Sequence, residues 1–550
     1  MPSTKNDCES CQRKNPHQKR IVHGPTAKPT PNCSMGEYLL QHMRNNRNYV
    51  VYLETETNKY IRSGDLMRDS VKLATALTAR GIKIGDRVTV MSENRLNWMI
   101  PACATIFVGG IFAPLNPAYT EWELTRMLQL YKPSIVFASR RCEKLLVQIA
   151  PKLSWPLEII ELDDEPITDG LATLTQLLQS NENVDPELYI PAKINDPSKQ
   201  PVAILASSGT TGLPKGVVLS QYNFLTFLEH VGLPNLIDVR RNDRFLLFLP
   251  FYHGYGFGML LAMIVHGSTA VISRSFVGHD FLKHIQKYKI THLALVPPVF
   301  VFLAKEPSVA QHDFSSIRQI ICGAAPIPAE LTDEVVKRLK CRSIRNAYGM
   351  TELTVVSHMT ALGRQNFESV GLAYPGFLVK VINPTTGEML GAGQPGEICC
   401  KGNQVMMGYW ENEAETANTI DREGWLHTGD LGYFDENDQF FIVGRLKELI
   451  KYKAYQVSPV ELETVLLSHP AVKDAAVVGK PDPVAGELPT AFVVKQPNSN
   501  PTANEIAKFV NEKVSSQKWL RGGVKFVDSI PKNPTGKILR KELVALTSKL

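Results

Sequence analysis

The sequence predicts an α/β protein that carries a smaller β-rich unit and a last α+β stretch, and three observations predict it. Helix-like and strand-like segments alternate from about Ser34; short strands divided by Gly and Pro turns follow Ser369; a mixed segment follows Arg445. At 550 residues the chain has room for roughly three to four domain-sized units, which disfavours a lone binding module.

Taken in order, Met1 to Arg20 is polar and basic with no apolar stretch, so it is neither a signal peptide nor an anchor, and residues 1–31 read as a disordered tail. Ser34 with Glu37 forms a capping box that opens a helix through Leu40 and Met43. Met67 to Arg80 repeats apolar residues at helical spacing and stops at Gly81. Asp86 to Met91 then reads as a strand, Trp98 to Gly109 and Trp122 to Tyr131 as helices, and Ser134 to Ala138 as another strand. The same grammar returns in Val202–Ala206, Arg244–Leu249, Ala270–Ile272, Phe281–Tyr288, His292–Val296 and Ile317–Cys322. Leu378–Ile382, Gly396–Lys401 and Phe440–Val443 are the short strands of the β-rich unit. Near the end, Ser458-Pro459-Val460-Glu461 combines an N-cap, an N1 proline and an N3 glutamate. Strands over Asp474–Val478 and Ala491–Lys495, a helix capped by Thr502, and a strand over Val524–Val527 complete the chain.

Composition excludes several classes. Sixty Lys and Arg against 54 Asp and Glu leave +6, spread without arginine-rich blocks, so nucleic acid is not implied as a partner. Nine cysteines form no disulfide framework, and reducing surroundings fit them better. Cys8 and Cys11 with His17 and His23 can be drawn as a zinc site, but no second ligand pair has the usual spacing. Cys399 and Cys400 read as packing residues in a strand. Met99 to Ala113 and Phe257 to Val265, the most apolar stretches, are too short or too broken to span a bilayer. Ser548-Lys549-Leu550 has the form of the peroxisome address, so a peroxisomal location and its import receptor as a partner are expected.

The strongest local signal is Ser207-Ser208-Gly209-Thr210-Thr211-Gly212-Leu213-Pro214-Lys215-Gly216, directly after an apolar strand. Glycines let backbone approach a polyphosphate, hydroxyls donate hydrogen bonds and the lysine supplies charge. The register of a Walker A loop fails.

With that loop the chain resembles the acyl-adenylate-forming superfamily of acyl-CoA synthetases, 4-coumarate:CoA ligases, peptide-synthetase adenylation domains and beetle luciferases. Four further motifs carry the resemblance in order: Asn346-Ala347-Tyr348-Gly349-Met350-Thr351-Glu352, Gly424-Trp425-Leu426-His427-Thr428-Gly429-Asp430, Gly444-Arg445-Leu446-Lys447-Glu448-Leu449-Ile450-Lys451 and Pro534-Thr535-Gly536-Lys537. The resemblance implies a large adenylate-forming domain over 32–444, made of two α/β subdomains and a small β-barrel-like one, and a small mobile α+β lid over 445–550.

It also implies roles. Ser207, Ser208, Gly209, Thr210, Thr211, Gly212 and Lys215 would cradle ATP phosphates. Asn346, Ala347, Tyr348 and Gly349 would wall the adenine against Gly323, Ala324, Ala325 and Pro326. Thr351 would bond the α-phosphate, Glu352 would hold Mg²⁺, Asp430 would accept from the ribose hydroxyls with help from Arg445, and Lys537 would be the catalytic lysine of the first step. His253, Gly254, Tyr255 and Gly256, continuing through Phe257 and Gly258, would line the acyl pocket with Cys322 and Val355; a lone histidine among aromatics is otherwise commonly a core residue. Lys451 would contact the adenylate, and Lys453 with Ala454 would lie beside CoA. ATP, Mg²⁺ and CoA are the implied co-substrates and cofactor.

Three departures bear on this. Gly444 stands where the family usually has Asp or Lys, which reads as a more permissive pivot. Ala347 and Ala454 each stand where Gly is common. Leu353-Thr354-Val355-Val356 is apolar where beetle luciferases place small hydroxyl residues. The implied activity is an acid:CoA ligase acting on a hydrophobic acid, fatty or 4-coumarate-like, with a luciferase-type monooxygenase, a protein with both activities, or a non-catalytic nucleotide- or acyl-binding relative as the alternatives.

Overall fold

The computed structural model describes residues 20–207, 214–323, 329–341, 343–362, 368–453, 455–533 and 536–548. Among these residues the strands form four sheets. An eight-stranded sheet runs in the order Gly408–Tyr409, Lys215–Ser220, Pro201–Ser207, Ile111–Phe112, Arg87–Met91, Ile135–Ala138, Glu158–Glu161, Ala172–Thr173. A nine-stranded sheet has the parallel strands Ile344–Tyr348, Gln319–Cys322, His292–Leu295, Arg244–Leu247, Thr269–Ile272 and Val50–Glu54 at its middle. Their side chains are buried on both faces, as helices covering a parallel sheet require. The alternating grammar of the sequence is thus two α/β layers.

One apolar core lies between these two sheets. Trp98, fully buried, meets Phe112, Phe251 and Phe257 at ring separations of 5.3 to 6.1 Å. Each edge-to-face pair adds about 0.5–1.5 kcal/mol beyond area burial. The predicted capping box forms at Ser34, the predicted cap Thr502 closes a box as well, and unpredicted boxes close at Thr120, Thr173 and Ser220.

The third sheet is the β-rich unit: Val22–His23, Leu378–Ile382, Gly396–Lys401, Leu426–Phe434 and Phe440–Arg445, all antiparallel. Its first strand corrects the reading of residues 1–31 as a tail. From Arg20 onward the segment is laid on the protein: Val22 pairs with Val379, the Lys28 N–H donates to His230 Nε2 at 3.0 Å, and Thr30 meets Thr226 at 2.8 Å. Residues 1–19, with Cys8, Cys11 and His17, lie outside the described residues, as do Lys549 and Leu550.

The fourth sheet joins Tyr455–Val457, Ile450–Tyr452, Gly486–Lys495 and Val472–Asp482, with Val524–Phe526 parallel to the long central strand. Helices Pro459–Leu467, Ala503–Lys513 and Arg540–Ser548 accompany it. Ser458 does not cap its helix with its side chain; the hydroxyl donates to the Val443 carbonyl instead, across the junction between the third and fourth sheets. The same contact gives Gly444 a packing reason. A Cβ there would come within 2.9 Å of Ser458 Oγ, so the glycine answers a close approach. Lys305 reaches over from the nine-stranded sheet's side to the carbonyls of Leu467 and Val472. No helix among the described residues is long and apolar enough to cross a membrane.

Glu161 and Glu143 are both fully buried, and Glu143 already accepts from the N–H groups of Ile167 and Thr168. Burial pushes the Glu161 carboxyl up to about 8, with the Glu143 side chain adding to the rise. In the folded protein it therefore keeps its proton where the unfolded chain has lost it. Stability falls as pH rises from the ordinary carboxylate range toward 8. Glu161→Gln removes that fall, so denaturant unfolding at pH 9 should find the variant more stable than wild type, with the difference gone near pH 4.

Candidate active site

The strand Ile344–Tyr348 ends at the wall of a cavity of about 610 Å³. Asn346, Ala347, Tyr348, Gly349, Asp430, Arg445 and Lys537 all line it. Four sequence-distant segments therefore converge, as the resemblance implied.

Asp430 is the centre of this corner. It is 4% exposed, its Oδ2 accepts from Tyr348 Oη at 2.6 Å, and its Oδ1 pairs with Arg445 Nε at 2.8 Å. Antiparallel pairing puts Asp430 directly across from Arg445. Its N–H donates to Thr428 Oγ1, whose own hydroxyl is tied to the Ile398 carbonyl. Burial raises the Asp430 carboxyl from its ordinary value, and the guanidinium beside it pulls the other way. Lys537 enters the same cavity on a turn whose Asn533 side chain accepts its N–H at 2.8 Å. Burial, then the neighbouring Arg445, lowers the Lys537 ammonium from its ordinary value, while Glu448 and Asp430 hold it up.

A second, narrower pocket of about 120 Å³ shares Ala347, Tyr348 and Gly349 with the first. His253, Gly254, Tyr255, Gly256, Gly323, Thr351 and Val355 line it, beside Phe227, Met259 and Val356. His253 precedes the helix Gly254–His266, and desolvation lowers its imidazole to about 4, so it is a neutral ring at physiological pH. Gly349 is required by packing: a Cβ would stand 2.1 Å from the Val355 carbonyl. Val355 itself has φ +80°, a left-handed value that costs a β-branched residue strain. It follows Thr354, also left-handed and anchored through its hydroxyl to the Gln404 carbonyl.

Several expected site residues fall elsewhere. Cys322 lines the larger cavity and its neighbour Ile321 the narrower one, because successive strand residues face opposite ways. Phe257 is sealed in the aromatic core, and Gly258 lies against Phe227 and Val355. Lys451 and Lys453 are exposed and line neither cavity, since Ile450 and Tyr452 take the buried face of their strand. Ser208, Gly209, Thr210, Thr211, Gly212, Ala324, Ala325, Pro326 and Ala454 lie outside the described residues. Ser207 and Lys215, which flank the glycine-rich loop, pair across the hairpin it closes.

The structure adds residues that the motifs omit. Tyr409 Oη donates to Glu352 Oε1 at 3.0 Å, and Lys215, above the Tyr409 ring, is ion-paired to Glu415. Arg540 holds Glu448 and Glu463. Each of these pairs spans 57 to 200 positions, so no local spacing announces them.

Comparison with known proteins agrees with this geometry. Residues 41–410 match the AMP-binding enzyme family, and residues 461–537 match the AMP-binding enzyme C-terminal domain. Luciferin 4-monooxygenase of Photuris pensylvanica is 36% identical over 532 residues, covering 96% of this chain and 97% of that protein. Probable 4-coumarate–CoA ligase 1 of Dictyostelium discoideum is 38% identical over 531 residues, covering 94% and 95%. The crystal structure of ATP-bound MatB from Rhodopseudomonas palustris superposes with a TM-score of 0.83 at 26% identity, covering 92% of this chain and 98% of that one. With its converging motifs and this family match over most of its length, the chain belongs to the AMP-binding enzymes of the acyl-adenylate-forming superfamily.

Proposed function

We infer that the protein is an ATP-dependent acid:CoA ligase for a hydrophobic carboxylic acid, a fatty or 4-coumarate-like acid. One observation carries this reading. An apolar pocket and a larger polar-cornered cavity meet at Ala347–Tyr348–Gly349, with Lys537 on the cavity side and His253 on the pocket side. An acid in the pocket then presents its carboxylate toward the α-phosphate of ATP bound at the Asp430 corner.

A carboxylate oxygen attacks the α-phosphorus, the bond to pyrophosphate breaks, and acyl-AMP forms; the CoA thiol then attacks the acyl carbon and AMP leaves. Charge gathers on the α-phosphate oxygens in the first step, so a placed ammonium does more there than a nucleophile could. Lys537 supplies that ammonium. Neutral His253 borders the acid without drawing its carboxylate into an ion pair. Glu352 suits a magnesium ion: it is a buried hard oxygen donor oriented by Tyr409, and Mg²⁺ typically takes one or two carboxylates together with substrate phosphates. The ion would neutralise phosphate charge. Lys451, Lys453 and Ala454 serve the second step in this reading, which requires the fourth sheet to turn and bring them inward.

The second reading, a luciferase-type monooxygenase acting on adenylated luciferin, is favoured by the similarity to luciferin 4-monooxygenases. Val355 and Val356, the two residues after Thr354, line the narrower pocket with apolar side chains and weigh against it. Pyrophosphate release should be followed across a panel of acids with ATP and Mg²⁺, with and without CoA, recording thioester and light together. CoA-dependent thioester in darkness is expected; light with luciferin would transfer the assignment to the monooxygenase.

Asp430→Asn tests the nucleotide corner. The amide keeps the shape but removes the charge facing Arg445 and the acceptor strength offered to a ribose. Hydrogen bonds to charged groups are worth about 1.5–3 kcal/mol, so KM for ATP should rise by roughly 10–100-fold. KM for the acid should move far less, and steady-state kinetics with each substrate varied would separate the two.

A further inference from the structure

The geometry points to a zinc-class metal site built from Glu397, Cys399 and His427 on the outer face of the third sheet, apart from both cavities. Pairing of Gly396–Lys401 with Leu426–Phe434 puts Cys399 directly across from His427, and Glu397 lies two residues earlier on the same strand. Glu397 and Cys399 share a face and pair with Leu431 and His427 across a shift in register, so His427 and Leu431 lie on that face and the buried Asp430, next to Leu431, lies on the other. Neither Glu397, Cys399 nor His427 lines a cavity of the active site.

One donor atom from each residue lies within 4.8 Å of the other two. His427 Nδ1 is 3.6 Å from Cys399 Sγ and 2.9 Å from Glu397 Oε2. Tetrahedral zinc with bonds of about 2.0–2.3 Å separates its donors by about 3.3–3.8 Å. The sulfur–nitrogen distance already fits, and the oxygen–nitrogen distance needs to open by a few tenths of an ångström. Thiolate, imidazole and carboxylate together suit a borderline divalent ion, and partial exposure of His427 leaves a path for it and for a fourth, water ligand.

The surroundings are those of a ligating histidine. Asp421 Oδ2 faces His427 Nε2, the ring nitrogen turned away from the other donors, at 3.6 Å, just beyond hydrogen-bond length, while the Glu397 contact places Nδ1 inward. Asp421 is itself fixed, accepting from the N–H groups of Glu423 and Trp425 at 2.9 Å. Glu397 uses its two oxygens separately: Oε2 faces the cluster, while Oε1 accepts from the Gly429 N–H at 3.0 Å. Gly429 precedes Asp430, so an ion on Oε2 stiffens the loop that holds the nucleotide corner. Charge also balances: thiolate, Glu397 and Asp421 meet a divalent ion and Lys380, which sits 4.0 Å from Asp421. Without an ion, His427 and Glu397 form an ordinary ion pair, and the experiment must separate that state from a true site.

Cobalt(II) is the probe, because a cobalt–thiolate bond gives a near-ultraviolet charge-transfer band. The titration uses full-length protein carrying Cys8→Ser and Cys11→Ser, without nucleotide, followed by displacement with zinc. One equivalent of cobalt with the band, bleached by zinc, is expected. In the same background Cys399→Ser should abolish the band, and His427→Gln should weaken binding by about 10–100-fold. Absence of the band, or a band that persists in Cys399→Ser, overturns the proposal. If Cys399→Ser fails to fold, Glu397→Gln takes its place: weakened cobalt binding supports the site, and unchanged binding overturns it.

Discussion

Lys537→Ala should lower the rate of acyl-AMP formation by at least about 10²–10³-fold while leaving thioester formation from supplied acyl-AMP nearly intact. That factor is the usual cost of removing one placed donor from a transition state that gathers charge. The structure strengthens the expectation. Lys537 lines the same cavity as Asp430 and Arg445, and its N–H is tethered by Asn533, so the backbone that carries the ammonium is held before substrate binds. Alanine leaves the tether in place, because the tethering atom is backbone; thermal stability should therefore change little. A pH signature accompanies the loss. Burial and Arg445 lower the ammonium below its ordinary value, so adenylation by wild type should decline on the alkaline side before a free lysine would titrate. Pulse measurement of each half-reaction across pH checks both statements. Equal damage to the two half-reactions would mean that Lys537 acts in both and that its role is misplaced here.

Much of this arrangement is legible in the sequence, for a physical reason. Capping boxes at Ser34 and Thr502, strands such as Ile135–Ala138 and the motif segments are encoded by neighbours in the chain, where period and cap chemistry speak directly. The resemblance then brings Tyr348, Asp430, Arg445 and Lys537 to one place, and the cavity contains all four. What escapes is set by partners far away in sequence. The two-residue strand Val22–His23 has no period to read and exists because Leu378–Ile382 offers an edge. Ser458 has a capping sequence, yet its hydroxyl goes to Val443 because the junction of two sheets delivers that carbonyl. Cys322 is misplaced by one strand position, enough to turn it from the acyl pocket to the larger cavity. Lys451 shows the remaining difficulty, for a motif names a residue without saying in which arrangement of the two parts it meets substrate.

Arg540→Ala should damage fold and chemistry together, in contrast to the lysine three residues before it. The Arg540 guanidinium donates to both oxygens of Glu463, to Glu448 Oε2 at 2.9 Å and to the Val477 carbonyl at 3.0 Å. Glu463 is largely buried and also accepts from the Val477 N–H, so one cation ties the helices Pro459–Leu467 and Arg540–Ser548 to the strand Val472–Asp482. Glu448 lies just after Arg445, which places the same network at the hinge motif. The cation holds the Glu448 carboxyl below its ordinary value even though burial opposes this. Removing one member of a buried ion network costs about 3–5 kcal/mol, because carboxylates are left desolvated without a partner. Melting of the fourth-sheet unit should drop accordingly, read by hydrogen exchange in the Val472–Asp482 strand. Adenylation should fall as well, since Lys537 rides on the segment that Arg540 anchors. Arg540→Lys can meet one glutamate but not fork across two, so it should recover only part of the stability. Lowering the pH should narrow the gap between wild type and Arg540→Ala: Glu448 contributes stability above the ordinary carboxylate range and loses it as protonation proceeds through its depressed value. A variant that melts like wild type while losing adenylation would instead make Arg540 a substrate contact, and would break the link between the hinge glutamate and the fold of the lid.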